Sequence, residues 1–215
     1  EILAQFGEYY SQFVTRVMGP NEGDVNDEAA IRARVEYEVQ CANEAHALGK
    51  KYAALALGTG SPGAVTEAER KALFMLFNPL LLVADCLIPH GYQEPDRTIN
   101  EPGSWEYHLG RLLDWKRWAD EEGFRLPPVL VGEMGWDRPH WGMAGVNRQA
   151  YFADLREGFY RICSETWVIG AAPYCFGADG SGLWEDMDHL ADSKAKETLV
   201  DLARWFSHTT TKTKM

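Results

Sequence analysis

The fold prediction depends on one stretch, Val129-Leu-Val-Gly-Glu-Met-Gly-Trp-Asp137. Its three apolar residues follow Pro127-Pro128 and precede Gly-Glu-x-Gly, a pattern that predicts a short buried strand with one carboxylate, Glu133, at its C-terminal end. In a parallel barrel the chemistry lies at that end of the strands. Glu133 is therefore a candidate functional group, although a strand-end glutamate can equally cap a helix or pair with an arginine.

Strands and helices alternate along the chain on both sides of this stretch. Apolar runs predict further strands at residues 13–18, 52–57, 80–88 and 167–176. Helical periodicity predicts helices at 1–12, 27–48, 66–77, 104–122, 148–164 and 192–206. This order predicts a parallel sheet with right-handed crossovers. Because no glycine-rich nucleotide-binding fingerprint follows any strand, the pattern favours a TIM barrel, (β/α)8, over an open doubly wound sheet.

Length and composition narrow the class of protein. With 215 residues, 46% of them hydrophobic, we expect a single domain over 1–215 with a polar tail at 207–215. The net charge of −11 argues against nucleic acid or an anionic membrane as a partner. No apolar run approaches the ~20 residues of a membrane span and no signal peptide is evident, so we expect a soluble protein. Eight Trp, nine Tyr and nine Phe suit a carbohydrate ligand.

Two further motifs follow predicted strands. Asn21-Glu22 follows the strand at 13–18, and His90-Gly-Tyr92 follows the strand at 80–88. Glu22 and Glu133 stand 111 positions apart, close to three βα units of roughly 30 to 37 residues each. We therefore expect the two carboxylates to face each other across a barrel mouth. Two opposed carboxyl groups about 5 Å apart are the equipment of a retaining glycosidase.

In this order and spacing the motifs resemble those of the clan A glycoside hydrolases, (β/α)8 barrels of the family-five type. The resemblance implies that Glu22 is the acid/base of an Asn-Glu pair after strand four, and that Glu133 is the nucleophile at the end of strand seven. Such an enzyme would cleave β-linked glycosides by double displacement and needs no cofactor or metal.

The same resemblance implies substrate-binding roles for five other residues. Asn21 would donate a hydrogen bond to the sugar 2-hydroxyl, Tyr92 would orient the nucleophile, and His90 would contact the substrate or the acid/base. Trp136, and Trp184 after strand eight, would stack on sugar rings.

The resemblance covers strands four to eight only. If Glu22 follows strand four, strands one to three have no counterpart, which amounts to roughly 90 to 110 residues of an ordinary barrel. We expect an upstream segment of the same protein or a partner chain to supply them, since an open five-stranded remnant would leave exposed edges.

Two other classes of function stay open on the sequence. A metal-dependent sugar isomerase or lyase on a TIM barrel could use Glu22, His90 and Glu133 as metal ligands. A non-catalytic carbohydrate-binding or assembly protein on a degenerate barrel is the other, because a fold does not guarantee an activity.

Overall fold

The fold is known from a computed structural model of the 215-residue chain. The structure describes residues 14–23, 25–64, 66–93, 98–136, 148–173 and 193–212. These residues divide into two compact units. The first draws on Glu1–Ile88 and Trp115–Pro128, and the second on Pro89–Asp114 and Val129–Met215. The helix predicted at 1–12 lies outside the described residues.

The first unit is a small parallel sheet with helices between its strands. Its strands are β1 (Arg16–Met18), β2 (Lys51–Ala54) and β3 (Cys86–Leu87), and its complete helices are α1 (Glu28–Ala47), α2 (Glu67–Met75) and α3 (Asn78–Val83). Strand β2 runs parallel to both neighbours, with Tyr52 opposite Val17 of β1 and Ala53 opposite Cys86 of β3. The predicted parallel βα order is confirmed in this unit.

Helix α1 forms where the helical periodicity predicts it. The Asp27 side chain caps its first turn by accepting a hydrogen bond from the Ala30 N–H at 2.8 Å. Its inward face buries four apolar residues at helical spacing, namely Ile31, Val35, Ala42 and Ala45, and also one glutamate, Glu38. The apolar pattern of the sequence gives no sign of this buried glutamate, which forms an ion pair with Arg34.

The strand predicted at 80–88 is wrong over most of its length. Residues Asn78–Val83 form helix α3, and only Cys86–Leu87 is a strand. The apolar run from Leu80 to Val83 is too short for periodicity to distinguish a strand from a buried helical turn. Pro79 lies in the first turn, where its fixed φ favours a helix, and Leu82 is 65% exposed whereas Leu80 is buried.

The second unit has a three-stranded parallel sheet with its longest strand in the centre. Its strands are β4 (His90–Gln93), β5 (Val129–Trp136) and β6 (Val168–Pro173). Its complete helices are α4 (Ser104–Tyr107), α6 (Arg148–Cys163) and α7 (Ser193–Lys212), while helix α5 (Arg111–Glu121) is divided between the two units. Strand β5 pairs in parallel with both β4 and β6. Residues 90–93, predicted as a loop, are therefore a strand, because main-chain pairing with β5 compensates for a sequence that includes a glycine.

The helix predicted at 104–122 is two helices, α4 and α5 (Arg111–Glu121). The chain leaves helical geometry at His108, whose ψ is −98°, and Gly110 packs so closely on Trp105 that a Cβ at Gly110 would lie 2.7 Å from the indole. The predicted tail at 207–215 is helical as far as Lys212, since no glycine or proline ends α7. Among the described helices, none is long and apolar enough to cross a membrane.

Candidate functional site

The sequence pattern predicts Glu133 at the C-terminal end of its strand, but in the structure Glu133 lies inside strand β5. The strand continues for three residues beyond it, to Trp136, because pairing with β4 extends through Gly135 and Trp136. In that register His90 is opposite Glu133 and Tyr92 is opposite Gly135. The parallel pairing of the two strands thus brings the predicted His-x-Tyr motif beside the predicted nucleophile.

The side chains of Glu133, His90 and Tyr92 form one cluster, which we call the Glu133 cluster. The Tyr92 hydroxyl donates a hydrogen bond to Oε2 of Glu133. Nδ1 of His90 lies 3.6 Å from the same oxygen. The His90 side chain is only 1% exposed, whereas that of Glu133 is 24% exposed. The carboxylate is therefore oriented from the buried side and accessible from the other.

Two groups that sequence reasoning missed support the Glu133 cluster. Nη2 of Arg111, on α5, donates a hydrogen bond to the main-chain carbonyl of His90 at 2.7 Å. Burial lowers the pKa of Arg111 to about 10, so the group remains a cation at neutral pH. Gly91 allows the side chain of Leu109 to pack directly on the main chain of β4, where any Cβ would overlap it. An arginine in an amphipathic helix gives no sign in the sequence that it is buried.

Glu22 lies in the first unit, in the segment Gly19–Gly23 after β1, which we call the Glu22 loop. Main-chain bonds continue the sheet into the loop, from the Gly19 N–H to the Ala53 carbonyl at 2.9 Å and from the Glu22 N–H to the Ala56 carbonyl at 2.7 Å. Glu22 adopts a left-handed conformation with φ of 51°. Asn21 and Glu22 are both exposed.

The carboxylate of Glu22 points toward the segment that follows β2. A Cβ built on Gly58 would lie 3.5 Å from Oε1 of Glu22, which is ordinary van der Waals contact. Since β1 and β2 are parallel and both precede these segments, the carboxylate lies at the carboxyl end of the sheet of the first unit. This is the end at which parallel α/β proteins bind ligands.

Sequence reasoning also missed the side chain that holds the Glu22 loop. Arg34 of α1 donates hydrogen bonds to the carbonyls of Pro20 and Glu22, each at 2.6 Å. The same guanidinium pairs with the buried carboxylate of Glu38 at 2.6 Å. The i,i+4 spacing of Arg34 and Glu38 was a visible signal for the ion pair, but not for its burial or its contacts with the loop.

The two predicted sugar platforms are Trp136 and Trp184. Trp136 is the last residue of β5. Trp184 lies outside the described residues. Within either unit, the described part of the chain contains no group of three or more His, Cys, Asp or Glu side chains that could hold a metal ion.

No protein-family model matches the sequence, and no curated protein matches it. Among solved structures, the chain is similar to an exo-β-1,3-glucanase of glycoside hydrolase family 128, subgroup V, from Cryptococcus neoformans, with 14% identity and a TM-score of 0.47 over 80% of this chain and 60% of that one. It is also similar to a Bifidobacterium dentium β-glucuronidase in complex with coumarin-3-O-glucuronide, with 14% identity and a TM-score of 0.44 over 75% of this chain and 24% of that one. Both of these proteins are glycosidases, and this chain spans less than two thirds of the length of either.

Proposed function

We propose that the protein is a retaining glycoside hydrolase that acts on β-linked glycosides, with Glu133 as nucleophile and Glu22 as acid/base. The observation that carries the proposal is the Glu133 cluster, in which Tyr92 donates a hydrogen bond to a partly exposed strand carboxylate and a buried histidine lies behind the same oxygen. A carboxylate nucleophile has to be held in one orientation and to present one oxygen to the substrate. Tyr92 and His90 both approach Oε2, so we assign the attack to Oε1.

In the first step Oε1 of Glu133 attacks the anomeric carbon and the bond to the leaving oxygen breaks. Glu22, in its protonated form, gives its proton to that oxygen, so the alcohol leaves neutral and a glycosyl ester forms on Glu133. In the second step the Glu22 carboxylate takes a proton from water, the water oxygen attacks the anomeric carbon, and the Glu133 carboxylate is released. Two inversions at one carbon retain its configuration, and the mechanism requires the two carboxyl groups to lie about 5 Å apart.

Tyr92 has a defined task in this scheme. Its hydroxyl holds Oε2 during the attack and stabilises the negative charge that returns to Glu133 when the ester is hydrolysed. A hydrogen bond to a charged group contributes about 1.5–3 kcal/mol, which corresponds to roughly 10- to 100-fold in rate. We expect Tyr92→Phe to lower kcat by that factor and to change KM much less, because Tyr92 contacts the nucleophile and not the bound sugar.

The remaining members of the site have proposed roles at the substrate. Asn21 would donate to the 2-hydroxyl, and Trp136 and Trp184 would stack on sugar rings. The strands that complete a (β/α)8 barrel would come from an upstream segment of the same protein or from a partner chain. Light scattering and intact mass of the native protein test this last point, and an active monomer of 24.2 kDa would contradict it.

The deciding experiment is covalent trapping of the nucleophile. The native protein is incubated with 2-deoxy-2-fluoro-β-glycosides that carry an activated leaving group, digested and mapped by mass spectrometry. The proposal predicts one glycosylated peptide, labelled at Glu133, with no label in Glu133→Gln and normal labelling in Glu106→Gln, a control at an exposed glutamate of the same unit. Absence of label, together with ligand binding that Glu133→Gln leaves unaltered, would instead identify a carbohydrate-binding module.

A further inference from the structure

One buried ion pair stands out in the first unit because a matched pair on the same helix is solvated. Helix α1 carries two i,i+4 pairs between arginine and glutamate. Glu28 and Arg32 are both 63% exposed, whereas Arg34 and Glu38 have side chains that are 8% and 0% exposed. Burying two charges carries a large desolvation cost, which an ion pair alone seldom offsets. Other contacts of the buried pair must therefore help to offset this cost.

Those contacts lead to the Glu22 loop. The three nitrogens of the Arg34 guanidinium each have an acceptor, with Nε on Glu38, Nη1 on the carbonyl of Glu22 and Nη2 on the carbonyl of Pro20. The two carbonyls flank Asn21. A planar fork fixes both carbonyls at once, whereas a lysine ammonium is a point charge that lacks this geometry.

The other end of the network is anchored in the sheet. Oε2 of Glu38 accepts a hydrogen bond from the Leu55 N–H at 3.2 Å and from the Tyr52 hydroxyl at 3.4 Å. Burial first, and then the nearby charge of Glu38, raise the pKa of Tyr52, so its hydroxyl stays a donor. Gly19 allows the close approach, because a Cβ at that position would lie 2.6 Å from Oε2 of Glu38. The loop after β1 is thus tied to β2 through charged groups.

This hydrogen-bond network constrains the main chain at Glu22. Its φ of 51° is in the left-handed region, which a residue with a side chain adopts only when its surroundings impose it. The Ala56 carbonyl holds its N–H and Arg34 holds its carbonyl, so the peptide groups on both sides of its Cα are constrained. The left-handed conformation in turn aims the carboxylate at Gly58.

We infer that Arg34 is a positioning residue that holds Glu22 in the orientation needed for proton transfer, and that Glu38 keeps the Arg34 guanidinium in place. The inference rests on the proposed function, since it assigns a task to Arg34 only if Glu22 is the acid/base. It predicts that loss of Arg34 impairs the step that needs a proton donor and spares the step that does not.

The test compares two substrates that differ only in the leaving group. A dinitrophenyl β-glycoside departs without protonation, whereas a phenyl or alkyl β-glycoside needs a general acid. The value of kcat/KM is measured for both, because it reports the first bond cleavage even where deglycosylation limits kcat. We expect Glu22→Gln to lower kcat/KM for the substrate with the poor leaving group by about 100-fold or more. The value of kcat/KM for the activated substrate should change by less than about fivefold. Arg34→Met should give the same pattern with a loss of roughly 10- to 100-fold.

Matched variants separate positioning from structural damage. Arg32→Met, in the exposed pair on the same helix, should leave kcat/KM unchanged for both substrates. Arg34→Lys keeps a cation beside Glu38 and so protects the fold, yet it cannot bridge the two carbonyls. It should lose several-fold on the poor leaving group alone and move the alkaline limb of the kcat/KM profile, which reports the protonated acid. If Arg34→Met does not fold, the leaving-group dependence of Arg34→Lys alone tests the inference.

The outcomes distinguish the two proposals. If Glu22→Gln shows no dependence on the leaving group, or if Glu22→Gln and Glu133→Gln both stay active on both substrates, the proposed function fails. If Glu22→Gln shows the dependence but Arg34→Lys and Arg34→Met slow both substrates equally, or neither, the proposed function stands and the inference about Arg34 is overturned.

Discussion

Removing the positive charge of Arg34 should destabilise the protein strongly. In Arg34→Met the carboxylate of Glu38 stays fully buried and keeps two neutral donors, the Tyr52 hydroxyl at 3.4 Å and the Leu55 N–H at 3.2 Å. A buried charge that loses its partner costs about 3–5 kcal/mol. We therefore expect Arg34→Met to lower the free energy of unfolding by about 3–5 kcal/mol at pH 7.

Replacing both partners, in Arg34→Met with Glu38→Leu, removes the unpaired charge and should cost less at pH 7 than Arg34→Met alone.

Urea unfolding at 25 °C and pH 7, followed by tryptophan fluorescence, measures these free energies. The control is Arg32→Met, in a pair whose side chains are 63% exposed, for which we expect a change within about 0.5 kcal/mol. A loss below about 1 kcal/mol for Arg34→Met would refute the reasoning. So would a loss equal to that of the control.

Three further predictions concern other parts of the chain. Burial raises the pKa of Asp85, but hydrogen bonds, first that from the Tyr52 main-chain N–H at 2.8 Å, lower it by more, so the folded protein holds this carboxylate more acidic than the unfolded chain does. The stabilisation is present above about pH 4 and is lost as the pH falls through the lowered pKa, so Asp85→Asn should cost about 1 kcal/mol at pH 7 and progressively less below pH 4, as measured by thermal unfolding. Gly91→Ala should cost about 1–3 kcal/mol in the same assay, because its Cβ would overlap Leu109, and an unchanged Tm would contradict the packing. Burial raises the pKa of Cys163 to about 12, so peptide mapping after treatment with a maleimide at pH 8 should find Cys163 unmodified until the protein is unfolded.

The parts of the fold that could be predicted are those written in local periodicity. Helix α1 buries Ile31, Val35 and Ala42 at helical spacing, and the structure agrees with the predicted limits to within a residue. The segment at 78–83 could not be predicted, because four apolar residues in a row fit a helical turn as well as a strand. Strand β4 was missed for a different reason. Its residues pair with residues of β5 that lie 43 positions further along the chain, and no local signal reports such a partner.

The site divides along the same line. The type and order of the motifs could be read from the sequence, but the contact between Tyr92 and Glu133 depends on a register in which His90, and not its neighbour, is opposite Glu133. A slip of one residue would turn the hydroxyl to the other face of the sheet. Sequence spacing has no access to that difference, since the two residues are 41 positions apart.

The residues that sequence reasoning missed share one physical device. In each unit, a helix that follows a strand directs a buried arginine back to main-chain carbonyls beside a candidate site residue. Arg34 reaches Pro20 and Glu22 from 14 and 12 positions away, and Arg111 reaches His90 from 21 positions away. An arginine can do this because its guanidinium is only weakly hydrated and donates in a fixed plane. A lysine at either position would keep the charge and lose the geometry. These two arginines therefore connect the fold to the proposed chemistry, since they hold the backbone from which Glu22, His90 and Tyr92 extend.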